Sequence, residues 1–167
     1  MDRTILKPIA PGEAAEVESM ARRIWPEAYK GVISREQIDY MLGWMYAPEK
    51  IAREISEEGI QYFWIAEDRE KVGFLAVGPV SAGKTSILQK LYVLNEKHRR
   101  GLGTQALASL FEILPKADVP RVELRVNRDN SNAISFYRKN GFETVAEDKA
   151  DIGKRFAMDD YIMRRTL

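Results

Sequence analysis

Cysteine is absent from this 167-residue chain, histidine occurs once, and the charges nearly cancel. Without cysteine there is neither a disulfide framework nor a thiol nucleophile, and with His98 as the only histidine a zinc site of Cys and His ligands is excluded. The 26 basic and 25 acidic side chains leave a net charge of +1, so the chain lacks the positive field that attracts nucleic acids and anionic membranes. We therefore expect no bound metal, no nucleic-acid partner and no membrane attachment.

Long apolar runs are missing as well. No run approaches the roughly 20 residues that span a bilayer, and the N-terminal segment has no signal-peptide core, so we expect a cytoplasmic protein. A hydrophobic content of 45% and a charged content of 31% suit a sizeable core with a solvated exterior. Because no repeat, low-complexity segment or linker divides the chain, we expect residues 1–167 to form a single domain.

The first third of the chain has helical periodicity. Apolar residues at helical spacing predict a first helix over residues 12–24, which Pro26 should interrupt. Ser34 and Gln37 have the spacing of a capping box and predict the start of a second helix. Pro48 predicts the first turn of a third. This part should therefore consist of three short helices.

From residue 61 the period changes to that of strands. The strand-like stretches are Tyr62–Glu67, Lys71–Val77, Ser86–Leu94, Arg121–Val126, Phe142–Glu147 and Asp160–Arg164. The first two flank a polar turn and should form an antiparallel hairpin, whereas a helix over Gly103–Leu114 should connect the next two as a parallel crossover. A last helix begins near Asn130 and ends at Gly141. The predicted fold is a mixed α/β sheet with an antiparallel first half and one parallel pair.

The segment from Leu91 to Gly103 carries the clearest chemical signal. It is an apolar strand that breaks into a basic, glycine-containing turn and then a helix. Glycines let the backbone approach a ligand, helix-start amides attract anions, and Arg99 and Arg100 suit phosphates. The turn has neither the third glycine of a dinucleotide fingerprint nor the Lys-Ser/Thr of a P-loop. It predicts a phosphate site of another kind, unless it is simply a solvated basic turn.

Two segments resemble the motifs of the GCN5-related N-acetyltransferase superfamily. His98–Gly103 reads His-Arg-Arg-Gly-Leu-Gly and resembles the family's Arg/Gln-x-x-Gly-x-Gly/Ala, with histidine where arginine or glutamine is usual. Asn130–Phe142 reads Asn-Ser-Asn-Ala-Ile-Ser-Phe-Tyr-Arg-Lys-Asn-Gly-Phe and resembles Asn-x-x-Ala-x-x-x-Tyr-x-x-x-Gly-Phe. The likeness extends over residues 60–165, and Trp25–Tyr40 is similar to a branch that contains spermidine/spermine acetyltransferases.

The resemblance implies a fold, an activity and a set of site residues. It implies a GNAT-type mixed sheet with an acceptor-side helical segment over 12–59 and an acetyl-CoA-binding core over 60–165. The implied activity is acetyl transfer from acetyl-CoA to a primary amine, such as a polyamine. Its donor-binding positions map to Leu91, Tyr92, Val93, Arg99, Arg100, Gly101, Leu102, Gly103, Thr104, Asn130 and Tyr137. The first three should lie on a bulge of their strand, and Asn130 could equally serve as a helix cap.

Tyr137 is the predicted catalytic acid. A tyrosine of pKa about 10 can protonate a departing thiolate whose thiol has a pKa near 8.5. Burial of its ring on the core face of the helix is the alternative. The family has no fixed position for the base that deprotonates the amine, and the acidic candidates here are Glu27, Glu67 and Glu123.

The first two helices carry many aromatic residues. Beside acidic neighbours, aromatic faces suit a cationic amine, although a packed core explains them too. The candidate acceptor-binding residues are Trp25, Glu27, Tyr29 and Tyr40, within an aromatic set that also includes Trp44 and Tyr46. A protein or peptide amine as acceptor, a non-catalytic acyl-CoA-binding module and a homodimer remain open from the sequence, as does the length of the acyl chain.

Overall fold

A computed structural model describes residues 4–98 and 100–167, and within these residues seven strands form one sheet. The strands are β1 (Thr4–Pro8), β2 (Gln61–Glu67), β3 (Glu70–Val77), β4 (Ser86–Val93), β5 (Arg121–Asn127), β6 (Glu143–Gly153) and β7 (Phe156–Thr166). The helices are α1 (Ala14–Ala28), α2 (Arg35–Met45), α3 (Pro48–Glu57), α4 (Leu102–Lys116) and α5 (Ser131–Lys139), with short 3-10 turns at Pro11–Glu13 and Asn95–Lys97. The order in the sheet is β1-β2-β3-β4-β5-β7-β6.

Three helices in the first third are confirmed, with one wrong boundary. α1 does not stop before Pro26 but continues to Ala28. Proline removes one N–H from the helix, yet the next turn still closes, because the Tyr29 amide donates to the Trp25 carbonyl at 3.0 Å. Tyr29 therefore lies at the C-terminal end of α1, as its C-cap residue.

The Ser34 cap is present, but the Gln37 side chain has another role. Ser34 Oγ accepts from the Gln37 amide at 3.1 Å, which satisfies a free amide of the first turn of α2. Instead of reaching back to Ser34, the Gln37 side-chain amide donates to the Ala157 carbonyl at 3.0 Å. This bond ties α2 to the hairpin of β6 and β7.

The predicted parallel pair is present and is short. β4 and β5 pair in parallel through Ser86 with Val122 and Ile87 with Glu123. Beyond Ile87 the two strands separate, and a cleft lies between them. It is lined by Leu88–Val93 of β4 and by Leu124–Asn127 of β5. β5 continues its pairing with β7 on the far side. The sheet therefore splits in its middle.

Two features of the sheet differ from the sequence-based prediction. β1 pairs antiparallel with β2, although its five residues end in a proline and show no alternation of their own. β6 and β7 are eleven residues each, much longer than predicted. Most of β6 is exposed, so its polar residues give no period-two signal.

The core has two layers, one on each face of the sheet. Trp25, Tyr46, Trp64 and Phe74 are buried between the sheet and the first three helices. The layer on the other face, under α4 and α5, includes Leu107, Leu110, Val122, Leu124, Val126 and Met163. One face of β5 therefore lies in this layer. In the described part of the chain, no helix has the length and apolarity to cross a bilayer.

Candidate functional site

The split between β4 and β5 opens into a cleft of about 910 Å³. At one end its walls are the C-terminal half of β4, the turn through Thr104, and the start of α5, and we call this the turn end. At the other end they come from α1, α2 and β7, around Trp25 and Tyr29, and we call this the aromatic end. Both predicted halves of a binding site therefore share one cavity.

The turn end presents free backbone amides. Gly101 caps α4 with a φ of 73°, a left-handed conformation that favours glycine. The first amide bonded within the helix is that of Gln105, which donates to the Gly101 carbonyl at 3.0 Å. The amides of Leu102, Gly103 and Thr104 therefore lack intrahelical acceptors, and all three residues line the cleft. Such a helix start binds anions.

Gly103 also allows a close approach between two helices. A Cβ at this position would lie 2.9 Å from Cζ of Phe136 in α5. The helices are joined further along, where Asn140 Nδ2 donates to Thr104 Oγ1 at 3.4 Å. The small residue lets α5 rest on the first turn of α4, so both sides of the turn end are held together.

The charges of the turn are distributed differently from the prediction. Arg99 lies outside the described residues. Arg100 does not line the cleft, and its Nη2 lies 3.2 Å from Oε1 of Glu67. His98 does line the cleft, with Nε2 2.9 Å from the Val93 carbonyl oxygen. Within the described residues, the helix-start amides line the cleft at this end, whereas the Arg100 side chain is turned toward Glu67.

The predicted strand edge lines the cleft, but the bulge is elsewhere. Pairing of β4 with β3 shifts at Gln89, two residues before Leu91. From there the ladder is regular, and the Leu94 amide donates to the Val72 carbonyl at 2.8 Å. By the alternation of an antiparallel ladder, Tyr92 bonds to β3 while the amides and carbonyls of Leu91 and Val93 point away from it, toward the cleft.

Tyr137 both packs and faces the cleft. Its ring stands edge-on to Phe136 at 5.2 Å and to Phe142 at 5.5 Å between ring centroids. It also lines the cleft, and burial, with a smaller contribution from Tyr29, raises the pKa of its hydroxyl. Asn130 caps α5, since its Oδ1 accepts from the Ala133 amide at 3.2 Å, and it too lines the cleft.

Three of the four acceptor-side candidates line the aromatic end. Trp25, Glu27 and Tyr29 contribute to its wall. The Tyr29 and Tyr92 hydroxyls are hydrogen-bonded at 2.7 Å, and burial raises the pKa of both. Tyr40 is not part of the wall. Its hydroxyl donates to the Ile152 carbonyl at 2.8 Å, so it anchors the β6–β7 hairpin.

Comparison with known proteins decides the family. Residues 17–142 match the family model described as the acetyltransferase (GNAT) family. The chain belongs to the GNAT family. It is 31% identical over 136 residues to the spermidine N(1)-acetyltransferase of Thermoplasma acidophilum, a match that covers 79% of this chain and 83% of that protein.

Solved structures agree with the GNAT assignment. The PaiA N-acetyltransferase of Thermoplasma acidophilum in complex with coenzyme A has a TM-score of 0.81 at 24% identity, covering 98% of this chain and 99% of that chain. A GCN5-related N-acetyltransferase from Rhodopseudomonas palustris has a TM-score of 0.82 at 18% identity, covering 99% of this chain and 96% of that one. The resemblance drawn from the two motifs, the mixed fold and the N-acetyltransferase class are confirmed.

The carboxylates of this GNAT enzyme are not arranged as the candidates suggested. Glu67 is paired with Arg100, and Glu123 accepts from Arg164 Nε at 2.6 Å, so neither lines the cleft, whereas Glu27 does. Asp160 was not among the predicted residues, yet it lines the cleft from β7 and is only 4% exposed. Its neighbour Asp159 is also acidic, so the sequence of β7 gives no signal that singles out Asp160.

Proposed function

We propose that this GNAT enzyme transfers the acetyl group of acetyl-CoA directly to a primary amine of a small cationic molecule, with a polyamine as the first candidate. One observation carries the proposal: the free amides of α4 and the buried Tyr137 hydroxyl open into the same cleft as the aromatic end. An anion-binding end and a cation-binding end thus meet at a proton donor.

Donor binding is assigned mainly to backbone. The amides of Leu102, Gly103 and Thr104 would hold the pyrophosphate of acetyl-CoA at the start of α4. The outward backbone groups of Leu91 and Val93 would pair with the amides of the pantetheine arm as a neighbouring strand would. This arrangement fixes the thioester along β4 and directs it toward Tyr137.

The transfer step needs an acid and no covalent enzyme intermediate. The amine nitrogen attacks the thioester carbonyl carbon, the N–C bond forms, and the C–S bond breaks. Tyr137 gives its proton to the departing sulfur, which it can do because burial keeps the hydroxyl protonated. A backbone amide on the free edge of β4 would stabilise the carbonyl oxygen. The absence of cysteine favours this direct route.

The acceptor is inferred from the aromatic end and from the relative. Ring centroids of Trp25 and Tyr29 lie 4.6 Å apart, and Glu27 adds a carboxylate to the same wall. Aromatic faces bind ammonium groups, and methionine side chains such as Met41 suit methylene chains. A polyamine alternates these two chemistries, and the relative that is 31% identical is a spermidine acetyltransferase.

The test is release of free coenzyme A thiol from acetyl-CoA with a panel of amines. The panel contains spermidine, spermine, amino acids, aminoglycosides and peptides with free amines, and a diol of similar length serves as the uncharged control. We expect the fastest release with polyamines and none above hydrolysis with the diol. Faster release with peptides would reassign the acceptor. Release no faster than hydrolysis with every amine would contradict the proposal.

A further inference from the structure

We propose that Asp160 binds the ammonium group of the acceptor and takes up one of the protons that the nitrogen loses during transfer. This inference rests on the function proposed above and assigns the base that the motifs leave open. It is built from the position of Asp160, from the pairing of the charges around it, and from the hydroxyl groups beside it.

Asp160 lies on β7, which is next to β5 on the far side of the split. It pairs with Asn127 of β5 and with Asp148 of β6, so it shares a sheet face with both. Asn127 lines the cleft as well, and Met158, two residues before Asp160 on the same face of β7, completes that part of the wall. The carboxylate is thus carried by rigid strands and not by a loop.

The neighbouring cations are committed to other carboxylates. Arg125 forms an ion pair with Asp148. Arg128 Nε lies 3.1 Å from Asp159 Oδ1, and its Nη2 lies 3.4 Å from Glu147. Within the described residues, no hydrogen bond or ion pair reaches the Asp160 carboxylate. The carboxylate is open to the cleft that it lines, where a cationic ligand would supply the missing partner.

The groups that face Asp160 favour that ligand. Burial raises the pKa of Asp160, Asp159 raises it further, and Arg125 acts in the opposite direction. Tyr29 lines the same cleft, and the charge of Asp160 makes a small contribution to the raised pKa of its hydroxyl. An ammonium group bound here would offset the burial of the carboxylate and would lie against the rings of Tyr29 and Trp25.

The same hydroxyl pair connects Asp160 with the predicted acid. Tyr29 is hydrogen-bonded to Tyr92 at 2.7 Å, and each of these two hydroxyls interacts electrostatically with Tyr137. Asp160, Tyr29, Tyr92 and Tyr137 all line the same cleft. A nitrogen held by Asp160 would therefore share this cleft with the thioester that Tyr137 serves.

The protons balance for an acceptor that arrives as an ammonium ion. Of its three N–H protons, one passes to Asp160 before attack and one stays on the product amide. The third replaces the proton that Tyr137 gives to sulfur. The N–C bond forms as the C–S bond breaks, and Asp160 then returns its proton to solvent. A raised carboxyl pKa brings the base closer to that of the amine.

The test compares Asp160→Asn with Asp159→Asn. Both remove one negative charge from neighbouring positions, but Asp159 is 41% exposed in its side chain and is paired with Arg128. For the first variant we expect kcat/KM for spermidine to fall by about 100-fold, as for loss of a buried charge partner. For the second we expect less than about threefold, because exposed ion pairs contribute little. The acetyl-CoA Kd should stay within about twofold in both.

The Tm of Asp160→Asn and the activity of Asp160→Glu separate a binding role from a structural one. Asp160→Asn should keep or raise the Tm, since it removes an unpaired buried charge, and Asp160→Glu should restore part of the activity. A lowered Tm together with weaker acetyl-CoA binding would overturn the inference, as would full activity of Asp160→Asn. In the last case the proposed function stands, because the wild-type enzyme still releases thiol. If the wild-type protein transfers to no amine, both proposals fall.

Discussion

The two ends of the cleft are built from different groups. At the turn end the polar groups are backbone amides of Leu102, Gly103 and Thr104, held by one contiguous segment. At the aromatic end they are buried side chains from separate elements, among them Tyr29 of α1 and Asp160 of β7. Amides do not titrate in the physiological range, whereas burial shifts the pKa of hydroxyl and carboxyl groups. We therefore expect donor binding to depend less on pH than the chemical step does.

Tyr137→Phe should produce the largest effect and would separate the chemical step from donor binding. Loss of a positioned acid lowers kcat by about 10²–10⁴-fold, while the acetyl-CoA Kd should change by less than about threefold, because the ring keeps its contacts with Phe136 and Phe142. Steady-state thiol release and equilibrium binding measure the two quantities.

A matched control is Tyr161→Phe. Tyr161 is a partly buried tyrosine of β7 whose ring contacts Arg128 and does not line the cleft. The Tyr161→Phe variant should retain kcat within about twofold, because substitutions away from the cleft have small effects. Equal losses of kcat and acetyl-CoA affinity in Tyr137→Phe would mean that Tyr137 only packs.

Lys90→Met would show whether a buried lysine of the cleft wall titrates. Lys90 is 5% exposed and lines the cleft, and it donates to the Tyr62 hydroxyl, which donates to Glu54 Oε1 at 2.6 Å. Burial lowers the pKa of Lys90 from 10.5 to about 8, against a smaller opposite effect of Glu54. The folded protein thus carries an unfavourable charge at pH 7.

The sign of the pH effect follows from proton binding. Below pH 8 both states hold the Lys90 proton, and the folded state bears the full cost of the charge. Between about pH 8 and 10.5 the unfolded chain binds the proton while the folded chain releases it, so the free energy of unfolding rises with pH. Removing Lys90 should therefore stabilise the protein most at neutral pH, relative to its effect at pH 10.5.

Urea unfolding of both proteins from pH 7 to 10.5 measures this difference. The free energy of unfolding of Lys90→Met minus that of wild type should fall by roughly 3 kcal/mol over the range. Lys139→Met is the control, since Lys139 is exposed and its charge is solvated in both states. If the difference in free energy of unfolding between Lys90→Met and wild type changes as little with pH as it does for Lys139→Met, Lys90 does not titrate as inferred.

The same contrast explains what the sequence could and could not predict. Gly101, Gly103, Asn130 and Tyr137 lie in two short segments, so sequence motifs are sufficient to locate them. The proposed anion site needs only glycine and consecutive backbone amides, and one continuous segment of the chain supplies both. Fold class and the parallel pair followed from periodicity for the same reason, since each depends on local pattern.

Residues of the aromatic end depend on contacts between distant parts of the chain. Asp160 lines the cleft because β7 lies beside β5, and no local pattern in β7 marks this residue. Arg100 was assigned to phosphate from its charge, whereas its position beside Glu67 is set by the end of β2. Tyr40 was chosen as an acceptor residue because it is aromatic, whereas its hydroxyl in fact binds the backbone of the β6–β7 hairpin.

Gly103→Ala should give the smallest effect and tests the turn end alone. A methyl group there would come within 2.9 Å of the Phe136 ring, so the ring must shift and the contact between α5 and the first turn of α4 would loosen. We expect the acetyl-CoA Kd to rise about tenfold, equivalent to about 1.4 kcal/mol, with the spermidine KM unchanged. Gly43→Ala is the control, because Gly43 lies inside α2 with open space around its Cα. That change should stabilise the protein by about 0.5–1 kcal/mol and leave acetyl-CoA binding as it is. A rise in the spermidine KM as large as the rise in Kd would mean that the two ends are coupled through α5, and the division between them would no longer hold.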